Sequence, residues 1–311
     1  MRRWSSKLAS RALLQSFLRD HADDRLLGPP DALLGEVVTT LDAALAAADA
    51  IRAAEPARAA LVKAPLSASG RHRVRLLVGE ALSPGQRGFL EGALGQAGAL
   101  WVAPWLPRLR DMGVPFEVLP SGQVREDGPL WMLTDPKGAY LGHVLGPADL
   151  GLSAPVRRAL HAHGPWLERV RAAVRAAGAA LAESGYAGPA GLDVFIYGRE
   201  EPAQVHLHPL VEVNPRHTMG HVARRLARAV APGVLAVFAP VRARDAGDLA
   251  KWAEALPPPR RGERGLVSGV VRLADPTAAR HTLPVLAVGS SIELLRVGAL
   301  GAALGPLPTP A

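Results

Sequence analysis

Cysteine is absent from this 311-residue chain, which excludes disulfides, thiolate-ligated zinc, iron–sulfur clusters and a cysteine nucleophile together. No stretch approaches the roughly 18 consecutive apolar residues that crossing a bilayer requires. The start, Met1 to Asp20, is basic and free of acids before Asp20, but Arg11 interrupts its apolar run. That pattern fits an amphipathic helix better than a secretory signal. These absences together point to a cytoplasmic protein with no membrane association.

Lysine is scarce as well. Only Lys7, Lys63, Lys137 and Lys251 are lysines among 36 cationic side chains, set against 28 acids for a formal charge of +8. Abundant Ala, Gly, Pro and Leu accompany this arginine excess, the signature of a GC-rich gene more than of a phosphate-binding surface. Aromatic residues make up 5%, and no basic face interleaved with them can be read, so nucleic acid is disfavoured as a partner. In such a background each retained lysine is informative, because an ammonium is a compact point charge that a guanidinium does not reproduce.

What is present is ample core material: 49% hydrophobic against 21% charged residues. Apolar spacing predicts helices near Ser5–Leu18, Leu33–Ala54, Gln86–Gln96, Pro155–Ser184 (broken at Gly164-Pro165), Met219–Val230 and Ala246–Ala255. Strands are predicted at Ala59–Ala64, Val74–Val78, Leu100–Pro104, Phe116–Leu119, Leu130–Thr134, Ala139–Val144, Leu192–Tyr197, Val205–Val213, Leu266–Arg272 and Leu283–Val288. Pro257–Arg264 reads as a loop, and a Pro/Gly tail ends the chain. The fold class is therefore α+β. Its expected organisation is a helical lead-in over 1–50, a small α/β subdomain over 51–105, a larger sheet subdomain over 106–231 and an extension over 232–311.

The chemistry concentrates in Leu210-Val211-Glu212-Val213-Asn214-Pro215-Arg216. Strand residues spaced by two leave one face, so Glu212, Asn214 and Arg216 share a space. Hard oxygen donors suit Mg²⁺, and an adjacent guanidinium suits a phosphate. Taken alone, a solvated strand face explains the pattern equally well. Asp193 opens an apolar strand 19 residues earlier, and a polar turn at Gly198–Pro202 would pair the two strands antiparallel, bringing Asp193 opposite Glu212.

These residues resemble the ATP-grasp superfamily of carboxylate–amine and carboxylate–thiol ligases. Tyr186-Ala187-Gly188-Pro189-Ala190-Gly191-Leu192-Asp193 is similar to its glycine turn and first metal carboxylate. Glu212-Val213-Asn214-Pro215-Arg216 is similar to its Glu-x-Asn metal motif in the carbamoyl phosphate synthetase style. Val62-Lys63-Ala64-Pro65 with Ser67-Ala68-Ser69-Gly70 resembles the lysine strand and phosphate-covering loop, and Ser6-Lys7-Leu8 the earlier phosphate-contacting lysine. The resemblance implies an ATP-grasp fold, with a small lid subdomain beside a larger antiparallel-sheet subdomain. It implies ATP and Mg²⁺ (or Mn²⁺), with Asp193, Glu212 and Asn214 as metal ligands. Lys7, Lys63, Ser67, Ser69 and Gly70 would contact the phosphates, the Trp101-Val102-Ala103 backbone would read adenine, and Arg216 would act catalytically. The implied reaction activates a carboxylate as an acyl phosphate for attack by an amine or thiol.

The chain departs from that pattern at Ala103, where the family often has an acid for the ribose, and at His72, where the loop often carries glycine. Only six residues precede Lys7, so a partner or a further N-terminal domain is expected to supply acceptor binding. The rival readings are a nucleotide-binding protein without ligase activity and, third, a basic nucleic-acid scaffold. His217 and His221 stand at i, i+4, either a zinc pair or a helix-start device. His206 and His208 read as solvated, His161 and His163 as surface residues, and Trp105, Trp131 and Trp166 as packing.

Overall fold

The computed structural model describes residues 4, 6–54, 59–65, 73–77, 80–135, 138–162, 164–199, 201, 204–242, 246–279 and 281–293. In chain order the elements are α1 (Lys7–Asp20), α2 (Pro30–Leu34), β1 (Glu36–Val38), α3 (Leu41–Ala54), β2 (Ala60–Lys63), β3 (Arg73–Leu76), α4 (Pro84–Ala97) and β4 (Leu100–Pro104). Next come β5 (Arg108–Val118), β6 (Val124–Glu126), β7 (Leu130–Thr134), β8 (Tyr140–Leu145), α5 (Ala154–Ala162), α6 (Trp166–Glu183), β9 (Gly188–Gly198) and β10 (Val205–Asn214). Then follow α7 (Met219–Ala227), β11 (Ala236–Arg242), α8 (Ala246–Glu254), β12 (Arg260–Gly262), β13 (Gly265–Arg272) and β14 (Thr282–Val288), with a 3₁₀ turn at Gly289–Glu293. The chain divides into two compact units: Met1–Arg110, Phe116–Glu126 and Ser153–Arg216 form the first, and Asp111–Pro115, Asp127–Leu152 and His217–Ala311 the second.

Within the first unit a four-stranded antiparallel sheet has the order β1-β4-β2-β3. Val62 sits at its centre, paired with Val74 on one side and Val102 on the other. Helices α3 and α4 cover it: Ala44, Ala47 and Ala48 from one and Leu90 and Ala93 from the other join Val62, Leu76, Leu100 and Val102 in one core. Small alanines let α3 approach the sheet closely, while each buried Val or Leu contributes about 1.5–3 kcal/mol. The ends of α4 are fixed by a Ser83/Gln86 capping box and a left-handed Gly98 at the C-cap.

The helix expected across Leu33–Ala54 is instead α2, β1 and α3. Gly35 breaks it, adopting φ 54° and ψ −161°, and a side chain there would stand 2.2 Å from the Val102 carbonyl oxygen. Only glycine tolerates that backbone and that approach, so the chain leaves the helix and adds β1 to the edge of the sheet. Two further strands were hidden from pattern reading: β6, and β12 inside the expected Pro257–Arg264 loop. Both are three residues long, too short for a period-two signal.

The same unit carries the β9–β10 hairpin, with sheet order β10-β9-β5 and β6 paired on β5. Helix α1 lies on β10. A buried hydroxyl anchors it there, Ser10 Oγ accepting from Val213 N at 3.0 Å.

The second unit is an antiparallel sheet running from the Asp111–Pro115 stretch of β5 through β7, β8, β11, β14 and β13 to β12. Both faces of its central strands are covered. Val237, Ala239, Val241, Val285 and Ala287 pack with Leu249 and Ala253 of α8, while Ala236, Phe238, Leu286 and Val288 pack with Ala223 of α7. Burial on both faces explains why β11 and β14 read as almost unbroken apolar runs.

Candidate nucleotide and metal site

The β9–β10 ladder begins with Val205 opposite Gly198 and reaches His208 opposite Phe195. It then shifts register and resumes with Glu212 opposite Asp193 and Asn214 opposite Gly191. Pro209 sits in that shift, and a residue without an N–H cannot donate to a ladder, so a bulge forms there. Its consequence is chemical: Asp193 and Glu212 become direct cross-strand partners. Asn214, 8% exposed, turns its amide towards them, Nδ2 lying 3.4 Å from Asp193 Oδ2. Arg216 Nη2 donates to Asn214 Oδ1 at 2.9 Å. Two carboxylates, an amide and a guanidinium thus converge as period-two spacing leads one to expect.

Lys7 joins them from α1. It is the first helical residue, after an N-cap at Ser6 whose Oγ accepts from Leu8 N at 3.3 Å. Its Nζ meets Glu212 Oε2 at 2.8 Å, with the two side chains only 11% and 25% exposed. Its backbone N–H donates to Pro65 O at 2.8 Å, tying the helix start to the segment after β2.

Lys63 closes β2, opposite Trp101 on one side and Arg73 on the other. Its ammonium lies 3.8 Å from the Trp101 ring centroid, a favourable cation–π geometry. Trp101 is held in turn by Nε1 donating to Leu34 O at 2.8 Å. Burial, and after it the positive fields of Arg108, Lys7 and Arg73, push the Lys63 pKa down to about 7, with Glu212 the one group opposing. Val102 and Ala103 are buried on β4, Val102 pairing with both Glu36 and Val62 and Ala103 with Leu61. Ser67, Ser69 and Gly70, with His72, lie outside the described residues, as do Glu200 and Pro202 of the β9–β10 turn.

Sequence reading passed over the arginines. Arg73, Arg75 and Arg108 gather on the Trp105 ring at 5.4, 4.9 and 5.3 Å, and Arg108 also lies 4.5 Å from the Phe195 ring centroid. The Arg-x-Arg spacing of β3 around buried Val74 was the available signal. His208 is not solvated. It is 5% exposed, packed 4.7 Å from Phe195, and Nδ1 is buried without a hydrogen-bond partner among the described residues. Burial, then the fields of Lys63 and Arg108, hold it well below the ordinary histidine range, so it stays neutral. His206 Nδ1 stands 3.3 Å from Arg25 O. His221 caps the start of α7, its Nδ1 accepting from Thr218 N at 3.1 Å, with the His217 ring 5.3 Å away. Trp166 is buried at 1% exposure.

Among the described residues no three His, Asp or Glu side chains cluster as a metal centre. The donor set on β9 and β10 is two carboxylates and one amide oxygen, hard ligands that fit Mg²⁺. Asp193 and Glu212 stand opposite one another on the two strands, Lys7 pairs with Glu212, and Asn214 gives Nδ2 to Asp193 while its Oδ1 accepts from Arg216. No helix is long and apolar enough to cross a membrane among the described residues.

No protein-family model and no curated protein matches the sequence. Solved structures do. The biotin carboxylase–β,γ-ATP complex from Campylobacter jejuni matches with TM-score 0.52 at 15% identity over 97% of this chain and 67% of that one. The ADP complex of PurK, N5-carboxyaminoimidazole ribonucleotide synthetase, matches with TM-score 0.54 at 10% identity over 95% and 71%. The Staphylococcus aureus N5-carboxyaminoimidazole synthetase with ADP matches with TM-score 0.53 at 9% identity over 96% and 71%. The chain has the ATP-grasp fold of these enzymes. It spans roughly 70% of their length, and at such identities the likeness defines the fold.

Proposed function

We propose that the chain is an ATP- and Mg²⁺-dependent ligase that activates a carboxylate as an acyl phosphate for attack by an amine or thiol. The observation that carries this reading is the direct pairing of Asp193 with Glu212, with Asn214, Arg216 and Lys7 in hydrogen-bonded contact around them. Asp193, Glu212 and Asn214 would hold Mg²⁺ (or Mn²⁺), which when bound supplies charge neutralisation for the nucleotide phosphates. Lys7 and Lys63 would neutralise the same phosphates, with the Ser67, Ser69 and Gly70 backbone covering them. The backbone of Trp101, Val102 and Ala103 would read adenine. A carboxylate oxygen then attacks the γ-phosphorus and ADP leaves. Arg216 would hold the transferred phosphoryl group, and an amine or thiol attacks the acyl carbon and expels phosphate. No side-chain nucleophile is needed, because positioning and electrostatics carry the chemistry.

The test is ADP release measured against a panel of carboxylates with ammonia, amino acids and thiols. The reading expects release that depends on an acceptor and is lost in Glu212→Gln. Two observations favour a second reading, a nucleotide-binding protein without turnover: Glu212 is already engaged by Lys7, and buried Ala103 offers no acid to a ribose. Tight Mg²⁺-ADP binding with no acceptor-dependent release across the panel would favour that alternative.

A further inference from the structure

Within the first unit, two side chains set the four-stranded sheet and the β9–β10 hairpin in one order. At one end Lys7 ties the two together, its backbone N–H donating to Pro65 O just past β2 and its Nζ to Glu212 Oε2, each at 2.8 Å. At the other end Arg108 lies 5.3 Å from the Trp105 ring, just past β4, and 4.5 Å from the Phe195 ring of β9. From the Lys7 end the sheet therefore runs through the Lys63/Trp101 pair, then Leu61/Ala103, then Trp105. The hairpin runs through Asp193/Glu212, then Phe195/His208.

Cross-strand partners share a sheet face, and residues two apart on a strand return to it. His208, opposite Phe195, thus faces the same side as Asp193 and Glu212. Two strand residues, about 7 Å, separate the Phe195 and Asp193 positions. The His208 ring is buried on Phe195, and its Nδ1 is sealed without a hydrogen-bond partner among the described residues. A sealed N–H lacking an acceptor is the rarer defect, which puts the ring proton on Nε2 and leaves that N–H to a ligand. Burial, then the fields of Lys63 and Arg108, keep the ring uncharged. It is a neutral donor within reach of one cation from each end of the line.

We propose, on the Mg²⁺-nucleotide reading of Asp193, Glu212 and Lys63, that His208 holds the sugar of the bound nucleotide, its Nε2–H donating to a ribose hydroxyl oxygen. With the phosphates at the Asp193/Glu212 and Lys63 end and the base on the Val102 and Ala103 backbone, covalent order puts the ribose between them. His208 stands one step along the hairpin from the phosphate end, on the face that carries the metal ligands. A neutral donor suits a hydroxyl, whereas the flanking cations suit phosphate. Buried Ala103 brings no acid to that sugar, so the contact comes from β10 and not from β4.

The test is calorimetry on the full chain with the Mg²⁺ complexes of ADP, 2′-deoxy-ADP and 3′-deoxy-ADP, comparing wild type, His208→Leu and His208→Gln. Wild type should bind one of the deoxy nucleotides about fivefold more weakly than ADP, the size expected of one neutral hydrogen bond. His208→Leu should bind that nucleotide and ADP alike. His208→Gln, whose amide restores an N–H near the Nε2 position, should regain part of the discrimination. Where His208→Leu does not fold, the ring ¹⁵N resonances of His208, assigned with His208→Gln, read the contact in wild type. Nε2 should shift on addition of Mg²⁺-ADP and shift less with the discriminated deoxy nucleotide. Equal binding of all three nucleotides by wild type, full discrimination in His208→Leu, or an Nε2 resonance unmoved by ADP would overturn the ribose contact and leave the nucleotide site standing. No binding of Mg²⁺-ADP by wild type would overturn the nucleotide reading and this contact with it.

Discussion

Lys63 offers a perturbation whose sign and size follow from its surroundings. A lysine with a pKa of about 7 in the folded chain is about nine-tenths neutral at pH 8. An anion placed against it restores the charge, so nucleotide binding at pH 8 should take up close to one proton. The uptake should fall towards a tenth at pH 6, where Lys63 is already charged before binding. Mg²⁺-ADP is the ligand of choice at pH 8, since its own phosphates are then ionised. The assay is calorimetry in buffers of different ionisation enthalpy, comparing wild type with Lys63→Arg, whose guanidinium cannot be deprotonated. The stability sign is also fixed. A lowered lysine pKa means the unfolded chain binds more protons between about pH 7 and 10.5, so stability rises with pH across that window. The cost of burying the charge, at most about 5 kcal/mol at 1.4 kcal/mol per unit, is fully present below pH 7. Lys63→Met should therefore gain stability at pH 6 and little at pH 10. Equal proton uptake by wild type and Lys63→Arg, or none in either, would refute the reasoning.

Two other outcomes are expected. Gly35→Ala should destabilise the chain by at least about 1–3 kcal/mol in denaturant titration, from the backbone conformation alone, with the Val102 oxygen contact adding to it. Arg216→Ala should leave Mg²⁺-ADP affinity within about threefold of wild type while slowing any ADP release at least tenfold, because its contact is made chiefly to the moving phosphoryl group.

The candidate site and the four-stranded sheet were readable to different depths. Glu212 and Asn214 could be placed on one face because strand periodicity is local, and Asp193 could be set opposite because a polar turn separates two apolar runs. Pro209 gave no comparable signal: a bulge depends on which ladder bond it breaks, and that is known only once the strands are paired. Gly35 hid a strand for the same kind of reason. Its conformation is imposed by β4, where the Val102 carbonyl, 67 residues onward, leaves room for a hydrogen and nothing larger. The arginines on Trp105 come from β3 and β5, and composition makes every arginine look alike. His208 looked solvated from alternation alone. It is buried with its ring packed on Phe195, a tertiary fact.

The central claim is that Asp193 and Glu212 form one metal–nucleotide site, and calorimetry of ADP with and without Mg²⁺ on wild type, Asp193→Asn and Glu212→Gln tests it most directly. The account predicts Mg²⁺-dependent ADP binding in wild type and loss of the metal dependence in both variants, each of which removes an anionic oxygen ligand. ADP binding that is indifferent to Mg²⁺ and unchanged by both substitutions would contradict it.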